Sequence, residues 1–349
     1  MLTFSQPSRG AIQRRVPLYF VLIAAIIPTL LFFYLWQPHQ QDKISATSAT
    51  SEIDSEFDNS SSSIQEYRLQ TNSLTKPLLL ADLPVEDRDM APLKSSINAV
   101  IEDHKARGNV SSASVFLLRM NHDNWINVNP TERFSPGSML KISVLITYFK
   151  MLEKNPGLFD QKLYLDPRMN TNRVQHVEET HLPPGQYKIR DLIQAMIVNS
   201  DNYATMLLNQ HLDQALFMKL YTDLGLRQPD MQESFYPMTA REFSRFMRVL
   251  HNATYLSSAN SESALELLTK AKYDDGIVAG LPPRTKLSHK FGESGDGKLF
   301  ELHEAAIVYN DNDPYLLVVM TKGRDITRLP GILKEISATA YNSVGVKPL

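Results

Sequence analysis

From Val16 to Trp36 the chain carries no charged residue, and a run that apolar must lie either in a bilayer or in a deeply buried helix. About 20 apolar residues suffice to cross the hydrocarbon of a membrane. Arg9, Arg14 and Arg15 precede the run, and Tyr34 and Trp36 close it at an interface. That asymmetry holds residues 1–15 in the cytoplasm and exports everything after residue 37. A cleaved signal peptide is the rival, but the run is long and no small-residue cleavage site closely follows it. The expectation is a single-pass cell-membrane protein with an N-terminal transmembrane helix over residues 16–36 and an extracytoplasmic folded part.

Residues 37–85 are rich in Ser, Thr, Asp, Glu and Gln, include the run Ser60 to Ser63, and show little apolar periodicity, which reads as a tether. As a random coil of about 50 residues it reaches on the order of 40 Å. The formal net charge of -2 provides no basic footprint, so nucleic acid is not an expected partner. With no cysteine there can be no disulfide, thiolate nucleophile or Cys-ligated metal, and chemistry must come from hydroxyl, amine, carboxylate or imidazole groups.

A folded domain is expected over residues 86–349. Leu93, Ile97, Val100 and Ile101 fall at helical spacing. Ser114 to Leu118 and Trp125 to Val128 read as a hairpin around the polar turn Asn121 to Asn124. The middle third is helical, most clearly where Ile189, Leu192, Ile193, Met196 and Ile197 form one stripe. Strands return at Lys286 to Phe291, Ala305 to Tyr309 and Tyr315 to Thr321, and Ile332, Leu333, Ile336 and Ala340 mark a closing helix. This order implies an α/β fold of the α+β kind: an antiparallel sheet flanked by terminal helices, beside a mainly α-helical subdomain.

Ser138-Met139-Leu140-Lys141 stands where Phe134-Ser135-Pro136-Gly137 turns into the periodic run Ile142, Leu145, Ile146, Phe149. With Ser135 as N-cap and Pro136 as first helical residue, Ser138 falls in the opening turn, near unpaired backbone N–H groups. Lys141 rises from the same helical face three residues on. A serine hydroxyl is a poor nucleophile until a base takes its proton, and a lysine serves once burial and cationic neighbours favour its neutral form. Ser200-Asp201-Asn202 follows the Ile189 to Val198 helix, where a plain helix–turn–helix cap is the simplest reading. Lys290-Phe291-Gly292-Glu293 ends a strand that begins near Thr285; its glycine suits close approach by a ligand or another backbone, and its lysine suits a carboxylate.

In that order these three segments resemble the S-x-x-K, S-D-N and K-T-G motifs of class A β-lactamases and penicillin-binding proteins. The flanks Glu132-Arg133-Phe134, Tyr315-Leu316-Leu317 and Thr321-Lys322-Gly323 are similar too, and the likeness runs from about residue 90 to the C-terminus. The resemblance implies Ser138 as acylated nucleophile and Lys141 as its proton acceptor. It implies that Ser200 passes a proton to the leaving nitrogen and that Asn202 holds the substrate's amide side chain. Lys290 would face the substrate carboxylate and help keep Lys141 neutral, while the backbone N–H groups of Ser138 and Glu293 form an oxyanion hole. No metal or organic cofactor is implied. The expected partner is a β-lactam or a peptidoglycan-type peptide.

Two departures bear on turnover. Between Leu226 and Met238 the only glutamate is Glu233, and it lacks the Leu-Asn pair that usually follows the deacylating glutamate of class A enzymes. Phe291 replaces a hydroxyl residue that helps bind the substrate carboxylate, and Glu293 adds a negative charge beside it. A penicillin-binding D,D-peptidase or transpeptidase with slow deacylation is thus the nearest alternative to a β-lactamase, and a non-catalytic wall-binding module is a third. His176-Val177-Glu178-Glu179-Thr180-His181 lacks His-Glu-x-x-His spacing and runs into Pro183-Pro184-Gly185, as a loop would.

Overall fold

The computed structural model describes residues 64–69, 77–82, 85–122, 124–169, 181–230, 233, 235–295, 297–310 and 313–344. The expected membrane span at Val16 to Trp36 and the loop His176 to Thr180 lie outside the described residues. Among the described residues no helix is long and apolar enough to cross a membrane.

In chain order the elements are β1 (Gln65–Arg68), β2 (Leu78–Asp82), α1 (Ala91–Ala106), β3 (Ser112–Arg119), β4 (Trp125–Val128), α2 (Lys141–Lys154), β5 (Lys162–Leu165) and β6 (Gly185–Lys188). Then come α3 (Ile189–Val198), α4 (Asn202–Gln210), α5 (Gln214–Asp223), α6 (Ala240–His251), α7 (Ser258–Leu268), β7 (Lys286–Gly295), β8 (Phe300–Tyr309), β9 (Tyr315–Gly323) and α8 (Leu329–Val344). Strands β4-β3-β9-β8-β7 form one antiparallel sheet in that order, with β3 and β4 closing the hairpin that the sequence predicts.

Both faces of this sheet are covered, which explains why its central strands read as continuous apolar runs and not as alternating ones. Val115 and Leu117 of β3, with Tyr315, Leu317 and Val319 of β9, pack with Ile97 and Ile101 of α1 and Ile332, Leu333 and Ile336 of α8. Phe116, Leu118, Leu316, Val318 and Met320 point the other way, into the core of the helical subdomain. The stripe read on α3 faces that second core, since Ile189, Leu192, Ile193, Met196 and Ile197 are all buried in it.

Two elements differ from the reading of the sequence. β7 runs on to Gly295, so Lys290 lies in mid-strand and not at its end, because Glu293, Ser294 and Gly295 continue the ladder with Leu302, Glu301 and Phe300. The tether expected over residues 37–85 ends early, because residues 65–82 contain an ordered antiparallel hairpin. Charged Glu66 and Arg68 and the brevity of both strands hide it from any composition-based reading. What orders it is distant in sequence: the Arg245 guanidinium donates to the Tyr67 hydroxyl at 2.5 Å, Arg248 pairs with Asp82 and donates to the Ala81 carbonyl at 2.7 Å, and Thr254 donates to the Leu79 carbonyl at 2.9 Å. Leu79 and Leu80 are buried beneath it.

A chain starting at residue 60 keeps this clamp whole, whereas one starting at residue 86 loses it and leaves the arginines facing an apolar recess. Burial of two leucines alone is worth a few kcal/mol, about 1.5–3 each, before the ordering cost of the hairpin. The shorter chain should therefore melt lower by roughly 5 °C or more in a circular dichroism scan. Coincident melts would mean that the hairpin adds nothing to stability.

Candidate active site

Ser138 lies in a 3₁₀ turn, Gly137–Leu140, that leads straight into α2. Ser135 does not act as the expected N-cap: the turn has no side-chain cap, and the Ser135 backbone is held by other groups. Its N–H donates to Glu301 Oε2 at 2.7 Å, and its carbonyl accepts from His303 Nε2 at 3.0 Å. His303 Nδ1 accepts the Thr321 N–H at 3.1 Å, which places the ring proton on Nε2. Glu301 and His303 thus fix both backbone polar groups of one residue ahead of the nucleophile. The sequence reading missed them, although polar residues two apart in the apolar strand Phe300–Tyr309 were a visible signal.

Gly137 has φ +55°, a conformation that favours glycine, and a Cβ there would collide with the carbonyl group of Glu293. A Cβ at Gly292 would lie 2.6 Å from the Met139 nitrogen and closer still to the Pro136 carbonyl oxygen. The serine turn and β7 therefore pack backbone against backbone. This is the close approach that the glycine of the third segment suggests, with a second glycine supplying the other half.

Four of the expected site residues meet in one hydrogen-bonded cluster. Lys141 Nζ donates to the Ser200 carbonyl, to Ser200 Oγ at 3.1 Å and to Asn202 Oδ1 at 2.8 Å. Lys290 Nζ donates to Ser200 Oγ at 3.0 Å and to the Phe291 carbonyl at 3.0 Å. Ser138, Lys141, Ser200, Asn202 and Lys290 are all buried. A hydroxyl oxygen has two lone pairs and one proton. With a lysine on each lone pair, Ser200 is left to donate its proton elsewhere.

Ser200 itself has φ +56°, a costly conformation for a serine, on the order of 1–3 kcal/mol. Its neighbour holds it there. Asp201, fully buried, caps α4 by accepting the N–H groups of Tyr203 and Ala204 at 2.8 and 3.0 Å, and it accepts the Leu182 N–H at 2.7 Å. The Asp201 N–H reaches back to the Ala195 carbonyl at 3.1 Å. The helix-cap reading of Ser200-Asp201-Asn202 is thus right for the middle residue, while its two flanking residues face the lysines.

The departures also have a structural form. The Phe291 ring stacks on Tyr273, centroids 4.5 Å apart, and the Lys290 ammonium lies 4.2 Å from its centre. Burial pushes the Tyr273 hydroxyl well above its ordinary pKa, with Glu304, Asp275 and Glu293 adding to the effect. Glu293 contributes its backbone to the contact with Gly137, and its side chain is half-buried. Glu233 pairs with Arg227 at 3.0 Å on an exposed surface. Among the described residues no group of three or more His, Asp or Glu side chains could hold a metal.

A sheet between terminal helices and a helical subdomain, with a buried serine in the turn that leads into α2 and a Lys–Ser–Lys cluster on the elements beside it, fits a serine hydrolase of the β-lactamase and penicillin-binding type. The chain belongs to the Beta-lactamase enzyme family, whose model matches residues 92–344. Solved structures show the same fold. PBP-A, solved also as an acyl-enzyme complex with penicillin G, is 20% identical over 73% of this chain and 96% of its own, with a TM-score of 0.60. A β-lactamase from Xanthomonas campestris pv. campestris is 19% identical over 73% of this chain and 99% of its own, with a TM-score of 0.61. One from Desulfarculus baarsii is 17% identical over 75% and 100%, with a TM-score of 0.62. No curated protein sequence matches.

The clamp on Ser135 has a measurable pH signature. Burial opposes the charge of Glu301, but the hydrogen bond and field of His303, the Ser135 N–H and Lys322 outweigh it and hold the carboxyl below its ordinary 4.5. A depressed folded-state pKa gives stability that is fully present above about 4.5 and lost as pH falls through the folded value. Glu301→Gln should therefore be less stable than the parent at neutral pH, and the gap should close in acid. Urea melts at a series of pH values test this, and a gap independent of pH would refute a charged clamp.

Proposed function

We propose that the protein forms an acyl-enzyme at Ser138 with β-lactams or D-alanyl cell-wall peptides, and that it deacylates slowly. The observation that carries this reading is the Ser200 hydroxyl bridging Lys141 and Lys290. Two buried ammonium groups around one oxygen repel each other, which favours a neutral Lys141 able to take the Ser138 proton. Ser138 Oγ then attacks the carbonyl carbon, and the oxyanion is met by the backbone N–H groups of Ser138 and Glu293, which Gly137 and Gly292 allow to come close. The C–N bond breaks as Ser200 gives its proton to the leaving nitrogen, and the Lys141 ammonium restores it. Asn202 binds the substrate amide, and Lys290 faces its carboxylate.

Hydrolysis of the resulting ester needs a water aligned by a base. Glu233, the one glutamate between Leu226 and Met238, is engaged by Arg227 on the surface. That favours penicillin-binding behaviour over efficient β-lactamase turnover, and the Phe291 ring in place of a hydroxyl points the same way. With Val16 to Trp36 as an anchor, the site would act on the outer side of the cell membrane.

Intact-mass measurement after exposure to a penicillin tests the proposal. One acyl group per chain should form in a burst, followed by a slow steady state. Ser138→Ala should abolish the adduct, and Lys141→Ala should slow its formation by roughly a hundredfold or more. Rapid linear turnover without an adduct would refute slow deacylation; undiminished labelling of Ser138→Ala would place the nucleophile elsewhere. Failure of every β-lactam and D-alanyl peptide to react would leave the wall-binding reading in its place.

A further inference from the structure

Phe291 stands where the resemblance implies a hydroxyl, and its surroundings give it a different task. On β7 it lies between Lys290, bonded to Ser200, and Gly292, packed on the serine turn. Side chains alternate along a strand, so the Phe291 ring leaves the other face, across from Glu304 of β8. There it is buried with Tyr273, Ile277 and Leu333 in the core under the terminal helices. The Lys290 side chain nevertheless folds back to it. Its ammonium lies over the Phe291 ring, 4.2 Å from the centre, and donates to the carbonyl of the same residue at 3.0 Å. Phe291 thus contributes both a ring and a carbonyl to the placement of the ammonium that Ser200 Oγ meets at 3.0 Å.

The ring is backed so that it cannot retreat from the cation. Tyr273 stacks on it, centroids 4.5 Å apart and planes 25° from parallel. A stacked ring and an ammonium this close take opposite faces, which leaves Phe291 held between them. Tyr273 is fixed in turn by the chain that follows it. The Glu304 carboxylate accepts the Ile277 N–H at 2.6 Å and pairs with His289 at 2.7 Å, and Ser337 of α8 donates to the Ile277 carbonyl at 2.8 Å. A Cβ on Gly276 would collide with Glu304 Oε2 and with the Tyr273 ring, so a glycine lets this turn close on the sheet. The Tyr273 hydroxyl makes no hydrogen bond among the described residues, and the face of its ring is what the turn supplies.

We propose that Phe291 is a positioning residue, which holds the Lys290 ammonium at Ser200 through the electron-rich face of its ring, with Tyr273 as the brace. Its effect on the reaction rests on the acyl-enzyme reading above. A hydroxyl would offer the substrate carboxylate one more donor. The ring gives up that donor and orders the cation instead, so that a long, flexible side chain is already in place when substrate arrives.

Fluorination separates this role from packing. Fluorine draws electrons from the face of a ring, which weakens its hold on a cation, changes its size little and favours stacking on an electron-rich ring such as that of Tyr273. In the full-length protein with mono-, di- and trifluorinated phenylalanine in place of Phe291, the efficiency of acylation by a penicillin should fall stepwise, by about threefold or more at the last step, while the melting temperature holds or rises. Acylation indifferent to fluorination, or following the melting temperature, would overturn the proposal. A second measurement needs no substrate. The ε-methylene protons of Lys290, identified by their loss in Lys290→Arg, should resonate upfield of ordinary lysine under the ring current, and should return toward ordinary values in Phe291→Leu. An ordinary shift in the parent would overturn the placement outright. A parent that shows the upfield shift yet never acylates would overturn the acyl-enzyme reading and leave the placement of Lys290 standing.

Discussion

One oxygen, Ser200 Oγ, stands between two buried ammonium groups, and the rest of the site is arranged so that neither lysine lacks acceptors. An uncompensated buried cation costs several kcal/mol. Lys141 and Lys290 meet this cost with the carbonyls of Ser200 and Phe291, the Ser200 hydroxyl and the Asn202 amide oxygen. The left-handed backbone of Ser200 follows from the same demand, since it presents both the carbonyl and the hydroxyl of one residue to Lys141. Asp201 makes that conformation tolerable by tying the residues on either side to α3, α4 and Leu182.

The cluster comes together only because the sheet and the serine turn touch without side chains between them. Gly137 and Gly292 permit that contact, and Glu301 and His303 on the adjacent strand fix its position through the Ser135 peptide groups. Lys290 then projects from mid-strand, with Gly292 two residues on and β8 pairing on both sides of it. An antiparallel sheet packed on both faces is a stiff platform for such a contact. Its two cores lock β8 and β9 from the terminal-helix side and the helical-subdomain side at once.

The N-terminal hairpin shows a different logic. Its two strands are four and five residues long and rest on the arginine face of α6 through side-chain-to-backbone bonds. Nothing in residues 65–82 alone signals order, because the groups that order them lie more than 150 residues later in the chain.

Local chemistry made much of this protein legible from its residues. Helical periodicity marked α1, α3 and α8, because each buries one apolar stripe, and short apolar runs marked β3, β4 and β9, because both faces of those strands are buried. Gly292 could be read as a close approach, because that is a relation along a strand. The family resemblance rested on motif order and likewise needed no coordinates. Tertiary structure decided what depends on partners far apart in sequence. It showed that Ser135 is clamped by β8 and does not cap its helix, that Gly137 is the counterpart of Gly292, and that Gln65–Arg68 pairs with Leu78–Asp82. It also assigned different tasks to the three adjacent residues Ser200, Asp201 and Asn202. The physical reason is common to all four: a hydrogen bond or a backbone contact is set by which surfaces meet, and sequence spacing carries no information about surfaces joined only by folding.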